Sequence, residues 1–424
     1  MKAIRGITYE VKPSAISRTA ANLLWSLKAE LSPPVGVADK TKTLQVEIAS
    51  LYPVSTGDLA SESLTIELRR GAAIVAAVTL DVESGDDATQ RGELELRGDP
   101  ALSVGAYEVR AIVADAPPRI LRRWYVTPRA MDDVRDELRA TLRSVETEQP
   151  ALKGAIAQCA ARVDLLTSEP SEGNSAEFLL NPIEHQSAVE SEIAALRVGT
   201  NPYRWKAGEY WRVIPGGAGD IAMRIYVPSS VAAAQTPARL VIALHGAGGD
   251  EQMFMYGYGA GKIKALGDRH QCIIATPVTN NFLRSGDALD RLLDSLGKDY
   301  AIDAAQVFVL GHSLGAGATL NLARSRADRI AAAAAIATGG FGFGDATRIA
   351  PTWVIVAEND LIARGTDDAR ANAAAAVAKG LPVEFRQVDD YGHTLVVGHV
   401  LSDVFEWFFS PTRAASQPAS AKSK

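Results

Sequence analysis

A serine, an acid and a histidine in the second half of the chain stand in surroundings that suit acyl-transfer chemistry. Ser313 is the centre of Gly311-His312-Ser313-Leu314-Gly315, preceded by the apolar run Val307–Leu310 and followed by an Ala/Leu-rich stretch through Leu320, Leu322 and Ala323. Such a segment reads as strand, sharp turn and helix. The two glycines remove Cβ atoms where the backbones close on each other, and the helix aims free N–H groups and partial positive charge at the seryl oxygen. The five-residue pattern alone is weak, because glycine is common enough for chance matches; the flanking elements give it weight. Further on, the apolar run Trp353–Ala357 ends in Glu358-Asn359-Asp360, and Val383–Val388 leads through Asp389-Asp390-Tyr391-Gly392 to His393. A seryl hydroxyl is a poor nucleophile near neutrality, so His393 is expected to take its proton as general base. Asp360, with Glu358 as the fallback, is expected to fix the imidazole tautomer and stabilise the imidazolium.

A tetrahedral oxyanion would need donors as well. After Leu240–Leu244 comes His245-Gly246-Ala247-Gly248-Gly249-Asp250, a glycine-rich turn that lets main-chain N–H groups face a cavity. The expected donors are the N–H of Ala247, with Gly246 as the close alternative, and that of Leu314. The turn is not a Gly-x-Gly-x-x-Gly dinucleotide loop, and no Gly-Lys-Ser/Thr phosphate loop occurs.

Other residues near these motifs carry weaker signals. Tyr256 and Tyr258, with Phe254, follow the glycine-rich turn and are candidates for lining a substrate pocket; plain packing is the rival reading. His312 flanks the nucleophile, and Gly340 and Phe341 belong to Thr338-Gly339-Gly340-Phe341-Gly342-Phe343-Gly344 after another strand end, where a flexible turn is the alternative to a pocket wall. For His245 and His312 structural hydrogen bonds are expected as well. His399 falls inside the last helix, His270 is expected to be exposed, and His185 carries no signal.

These residues need elements to hold them. From about residue 203 to 411, unbroken apolar runs (Leu240–Leu244, Cys272–Ala275, Val307–Leu310, Ala332–Ala337, Trp353–Ala357) alternate with helical segments such as Asp287–Leu296 and Asp367–Lys379. Runs apolar at every position suit parallel strands buried on both faces, so a doubly wound α/β sheet is expected, opened by a hairpin through Tyr210–Ile214 and Ala222–Val227. In such sheets ligands bind at the carboxyl ends of the strands, where the motifs fall. Residues 1–128 instead alternate apolar with polar, as in Leu44–Ile48, Leu64–Leu68, Glu93–Leu96 and Tyr107–Val113, which predicts an all-β sandwich, immunoglobulin-like in general shape. Between them, 129–202 shows helical stripes (Val134, Leu138, Leu142; Leu152, Ile156, Cys159, Val163) and reads as a helical connector. Residues 412–424 read as a disordered tail.

Composition excludes several classes. A formal charge of −6 without clustered Lys/Arg argues against a nucleic-acid partner. No run is long enough for a membrane span. Two cysteines, Cys159 and Cys272, make no disulfide framework, and with six scattered histidines give no zinc spacing; each is expected as a buried free thiol. Met1–Gly6 contains no apolar signal core, which fits a cytoplasmic protein and equally a mature secreted or periplasmic one. Oligomeric state is open.

At His245-Gly246-Ala247-Gly248-Gly249, Gly311-His312-Ser313-Leu314-Gly315, Glu358-Asn359-Asp360 and Tyr391-Gly392-His393, the chain from about Tyr203 to Ser410 resembles the α/β-hydrolase superfamily. It is most similar to the bacterial carboxylesterases bordering on dienelactone hydrolases, polyhydroxybutyrate depolymerase-like esterases and prolyl oligopeptidases. The order Ser313, Asp360, His393 is the one this architecture uses. The resemblance implies a serine esterase acting on a small or polymeric carboxylic ester, without metal or cofactor. A front immunoglobulin-like domain is similar to that of some secreted esterases, by fold analogy only. The chain has no room for a seven-bladed propeller and no long cap insertion between Ala337 and Pro351, which favours esterase over peptidase. A peptidase or amidase of the same fold, and a non-catalytic binding protein, remain the rival readings.

Overall fold

The computed structural model describes residues 27–50, 63–81, 89–96, 102–113, 117–168, 181–216, 219–339, 342–363 and 366–410. The chain start, the expected tail, and Gly340 and Phe341 lie outside these. Among the described residues, 27–168 with 181–200 form one compact unit and 201–410 another.

The first unit is built from short alternating strands. They are β1 (Leu27–Ser32), β2 (Val35–Val37), β3 (Thr43–Ser50), β4 (Ser63–Arg70), β5 (Ala73–Asp81), β6 (Thr89–Glu95), β7 (Gly105–Val113) and β8 (Arg119–Thr127). They make a three-stranded sheet, β1-β3-β6, and a five-stranded sheet, β2-β8-β7-β4-β5. Period-2 alternation turns one face of each sheet inward: in β1, Leu27, Ala29 and Leu31 are buried while Lys28 and Glu30 are exposed. Leu44 and Ile48 from one sheet meet Ile66, Val109 and Trp124 from the other in a single core, which makes the unit a β-sandwich. The Trp124 indole N–H donates to the Pro33 carbonyl at 2.9 Å, so its polar tip is satisfied inside that core.

Three helices complete this unit: α1 (Met131–Glu148), α2 (Lys153–Val163) and α3 (Pro182–Arg197). The expected stripes point inward, with Val134 and Leu142 of α1 and Ile156, Cys159 and Val163 of α2 all buried. Asn181 caps α3, its Oδ1 accepting from the Ile183 N–H at 3.0 Å, with Pro182 at the first helical position. A buried ion pair, Arg162 to Glu192 at 2.9 Å, ties α2 to α3. His185, unremarkable in sequence, is buried against the Arg162 carbonyl, Nε2 to O 2.8 Å.

The second unit holds β9 (Gly208–Ile214), β10 (Ile221–Val227), α4 (Ser229–Ala234), β11 (Ala238–Leu244), α5 (Lys262–His270), β12 (Cys272–Pro277), α6 (Thr279–Leu283), α7 (Ala288–Gly297), β13 (Ile302–His312), α8 (Leu314–Ser325), β14 (Ala332–Ile336), β15 (Thr352–Ala357), α9 (Thr366–Ala378), β16 (Val383–Val388) and α10 (Leu395–Phe408). Its sheet runs β9-β10-β12-β11-β13-β14-β15-β16. β10 pairs antiparallel with both neighbours, and every pairing from β12 to β16 is parallel. The crossing of β11 and β12 with all later strands in sequence order is the α/β-hydrolase sheet.

Both faces of that sheet are covered. Ile355 and Ala357 of β15 pack on the side of α5 and α10, whereas Val354 and Val356 pack on the side of α8 and α9. Strands shielded on both sides must be apolar at every position, which is why these runs do not alternate. Two expectations need correction here. His270 is not exposed: its side chain is only 11 % accessible, with its ring 5.0 Å from that of Phe409. Phe343 is not free to form a wall, since it is buried in the core beneath α8 and α9. Cys159 and Cys272 are buried free thiols, and burial pushes the Cys272 thiol up to about 12. None of the described helices is long and apolar enough to cross a membrane.

Candidate active site

The turn between β13 and α8 carries Ser313 with φ 54° and ψ −115°, a region a non-glycine residue enters at a cost of about 1–3 kcal/mol. Surrounding bonds hold it there. The Ser313 N–H donates to the Ile336 carbonyl of β14 at 3.0 Å, and the Ser313 carbonyl accepts from Ala316 and Gly317 at 2.9 and 3.1 Å. A Cβ on Gly311 would lie 2.1 Å from the Gly315 carbonyl oxygen, and one on Gly315 would lie 2.0 Å from that of Leu244. Both glycines are therefore demanded by close backbone approach. Ser313 is half-buried and Leu314 exposed, so this turn faces outward at the strand's carboxyl end.

Asp360 and His393, on the loops after β15 and β16, meet at 2.7 Å between Oδ2 and Nδ1. Their side chains are 2 % and 6 % accessible. The other carboxylate oxygen accepts from the Ile362 and Ala363 N–H groups at 3.0 and 2.8 Å. Burial pushes this carboxyl up, but the His393 hydrogen bond and the two backbone donors outweigh it and hold Asp360 below its ordinary range. An ionised acid accepting from Nδ1–H leaves Nε2 as the free acceptor of a neutral imidazole, the form a general base needs. Glu358 is exposed and accepts instead from the Asp390 N–H at 2.8 Å, so the two candidate acids are separated by geometry. The His393 ring lies 4.6 Å from that of His312, the neighbour of Ser313, and its carbonyl is 3.0 Å from His312 Nε2.

The glycine-rich turn after β11 is pinned by its own histidine. His245 Nδ1 lies 2.8 Å from the Gly246 carbonyl, and its Nε2 accepts from the Thr279 N–H at 2.9 Å. One neutral tautomer satisfies both, and burial lowers the His245 pKa accordingly. Of the two candidate donors in this turn, the Gly246 N–H is turned toward the Tyr258 hydroxyl at 3.4 Å, while Ala247 is exposed. Leu314 opens α8, and a first-turn N–H has no carbonyl one turn back to bond.

Tyr258 and His312 are buried, and the Tyr258 hydroxyl lies 2.7 Å from His312 Nδ1. Their polar atoms are spent within the protein and not on a pocket surface. Tyr256 is half exposed, but its hydroxyl donates to Glu209 of β9 at 2.6 Å and its ring sits 4.1 Å from the Lys264 ammonium. Phe254 is wholly buried. His399 is exposed on α10 and stacks on Tyr391 at 4.3 Å. Sequence reasoning missed the Glu209 hub, where one carboxylate also meets Arg224 at 2.7 Å and Lys264 at 2.9 Å. The structural hydrogen bonds expected of His245 and His312 are formed, but their partners, Thr279 and Tyr258 among them, were not named. No periodicity marks such partners; they are 12 to 54 positions apart in the chain.

No family model matches the chain, and no curated protein does. Among solved structures, the S-formylglutathione hydrolase FrmB from Staphylococcus aureus is 14% identical with a TM-score of 0.40, covering 48% of this chain and 97% of its own. A thermostable esterase is 14% identical with a TM-score of 0.41, covering 91% of this chain and 98% of its own. A feruloyl esterase module from Clostridium thermocellum is 13% identical with a TM-score of 0.40, covering 49% and 89%. These likenesses are distant in identity and loose in superposition.

Proposed function

We propose that the chain is a serine hydrolase cleaving carboxylic esters. Ser313 Oγ attacks the ester carbonyl carbon while His393 Nε2 takes the seryl proton, and Asp360 holds the imidazolium by its Nδ1–H. The N–H groups of Ala247 and Leu314 receive the oxyanion. Collapse of the tetrahedral intermediate breaks the bond to the alcohol, which leaves with the proton from His393, and water repeats the sequence on the acyl-enzyme. The observation that carries this reading is the buried Asp360–His393 pair at 2.7 Å, formed by loops at the same strand edge as the strained Ser313 turn. A purely structural pair would not call for an outward-facing serine in a costly backbone conformation next door.

The substrate is proposed to carry an apolar group beside the scissile bond. Leu314, Leu361, Ile362 and Leu395 are exposed large apolar residues, and each lies within two positions of Ser313, Asp360 or His393. Singly exposed apolar residues are ordinary; a set gathered on the catalytic loops is not. Hydrolysis of p-nitrophenyl acetate, together with labelling by a fluorophosphonate that requires Ser313, tests the reaction. A chain that turns over peptide p-nitroanilides but not the ester would move the assignment to a peptidase, and labelling that persists in Ser313→Ala would remove it.

A further inference from the structure

Beyond the three reacting residues, a chain of buried hydrogen bonds joins the loops that hold them. A carbonyl only accepts, so His312 Nε2, 3.0 Å from the His393 carbonyl, must carry the proton. In a neutral imidazole Nδ1 is then the acceptor, and the Tyr258 hydroxyl 2.7 Å away must donate to it. The Tyr258 oxygen is left as acceptor for the Gly246 N–H at 3.4 Å. Every donor is thus assigned: Gly246 N–H to Tyr258, Tyr258 O–H to His312, His312 Nε2–H to the backbone of His393. Burial, and next the neighbouring His393 imidazole, lower the His312 pKa to about 4, so the neutral form and the direction of the chain persist above that pH.

The anchors are closely packed. Tyr258 rests edge-on against Phe254 at 4.7 Å and against His312 at 5.1 Å. The backbone just beyond it is pressed onto α10, where a Cβ on Gly259 would lie 3.0 Å from Gly398 Cα. Gly246 is equally confined, since a Cβ there would lie 2.8 Å from His312 Nδ1 and 3.2 Å from Ser313 Cβ.

We propose that Tyr258 and His312 are positioning residues that lock the oxyanion turn and the backbone of the general base to the nucleophile turn. Resting on the serine-hydrolase reading, this also explains a choice within it: by drawing the Gly246 N–H onto a phenol, the relay leaves the Ala247 N–H to face the oxyanion. Neither side chain touches substrate. Their effect is on alignment, in the step where charge develops, and not on ground-state binding.

Tyr258→Phe removes one oxygen and keeps the ring. In the full chain, with p-nitrophenyl acetate and sites counted by fluorophosphonate titration, kcat per titrated site should fall about 10- to 100-fold with KM within twofold. His312→Gln, whose amide can still donate to the His393 carbonyl, should retain more turnover than His312→Leu. Adding Tyr258→Phe to His312→Leu should cost nothing further, because the two act as one unit. A normal kcat per site in Tyr258→Phe, losses that multiply in the double variant, or a change confined to KM would each overturn the relay. With Ser313→Ala inactive, such a result leaves the hydrolase reading standing; full turnover by Ser313→Ala overturns both.

Discussion

The sandwich and the eight-stranded sheet bury their strands in different ways, and the difference decides where chemistry can gather. In the sandwich most strands keep one wet face, so many charged residues spread along the ladders and pair in solvent. Arg91 with Glu47, and Lys28 with Glu30, are 41–77 % exposed across the four side chains. In the large sheet, β12 and β14 are buried at every position and carry no charged residue, whereas Arg212 of β9 and Arg224 of β10 are buried as ion pairs with Asp299 and Glu209. Other polar groups gather at the carboxyl ends, where burial obliges each to find a partner: His245 with Thr279, His312 with Tyr258, His393 with Asp360. Strands buried on both faces leave most polar groups to their ends. A one-sided sheet scatters them.

If that contrast is right, the largest effects must come from the strand ends of the second unit. Ser313→Ala should lower kcat by about 10⁶; a loss under about tenfold in a steady-state ester assay would break the assignment. Asp360→Asn should cost about 10⁴ in kcat, as tautomer control is lost, with the imidazole still in place. Gly315→Val forces a Cβ to 2.0 Å from the Leu244 carbonyl, and should lower stability by more than about 3 kcal/mol in urea titration.

Next in size is a pH effect. The folded pKa of His312, about 4, lies below the ordinary 6.5, so between those values the unfolded chain binds a proton that the folded chain refuses. Stability therefore falls as pH drops through this window, by up to roughly 3 kcal/mol. His245 contributes in the same direction. The charged or titratable groups bearing on His312 are His393, Asp360 and His245, with Tyr258 in direct contact. His312→Gln should flatten the slope of urea stability between pH 6.5 and 4; an unchanged slope would show that His312 does not carry it. Smallest is Arg91→Ala on the sandwich, expected to change stability by less than about 0.5 kcal/mol and to leave ester turnover untouched. A large loss there would blur the distinction between the two regions.

Legibility followed the same division. Alternation made β3, β4, β6 and β7 readable, whereas β8 was hidden by the adjacent Arg122 and Arg123, and β5 by Ala76-Ala77 among its apolar residues. Unbroken apolar runs marked β11 to β15 because burial on both faces leaves a local record in composition. His270 was misjudged because its charged neighbours, Asp268 and Arg269, suggested solvent, while Phe405 and Phe409 that cover it come from the far end of the chain.

Local chemistry determined a good deal by itself: the glycines at 311 and 315 and the strand-turn-helix order follow from backbone sterics and strand periodicity, while the order Ser313, Asp360, His393 was expected from the resemblance to α/β-hydrolases. Tertiary structure alone decided that Asp360 and not Glu358 meets His393, and that the Gly246 N–H turns to Tyr258. Neighbouring carboxylates and neighbouring amides are chemically alike. Only the direction in which a folded loop points them, a matter of contacts made by distant segments, tells them apart.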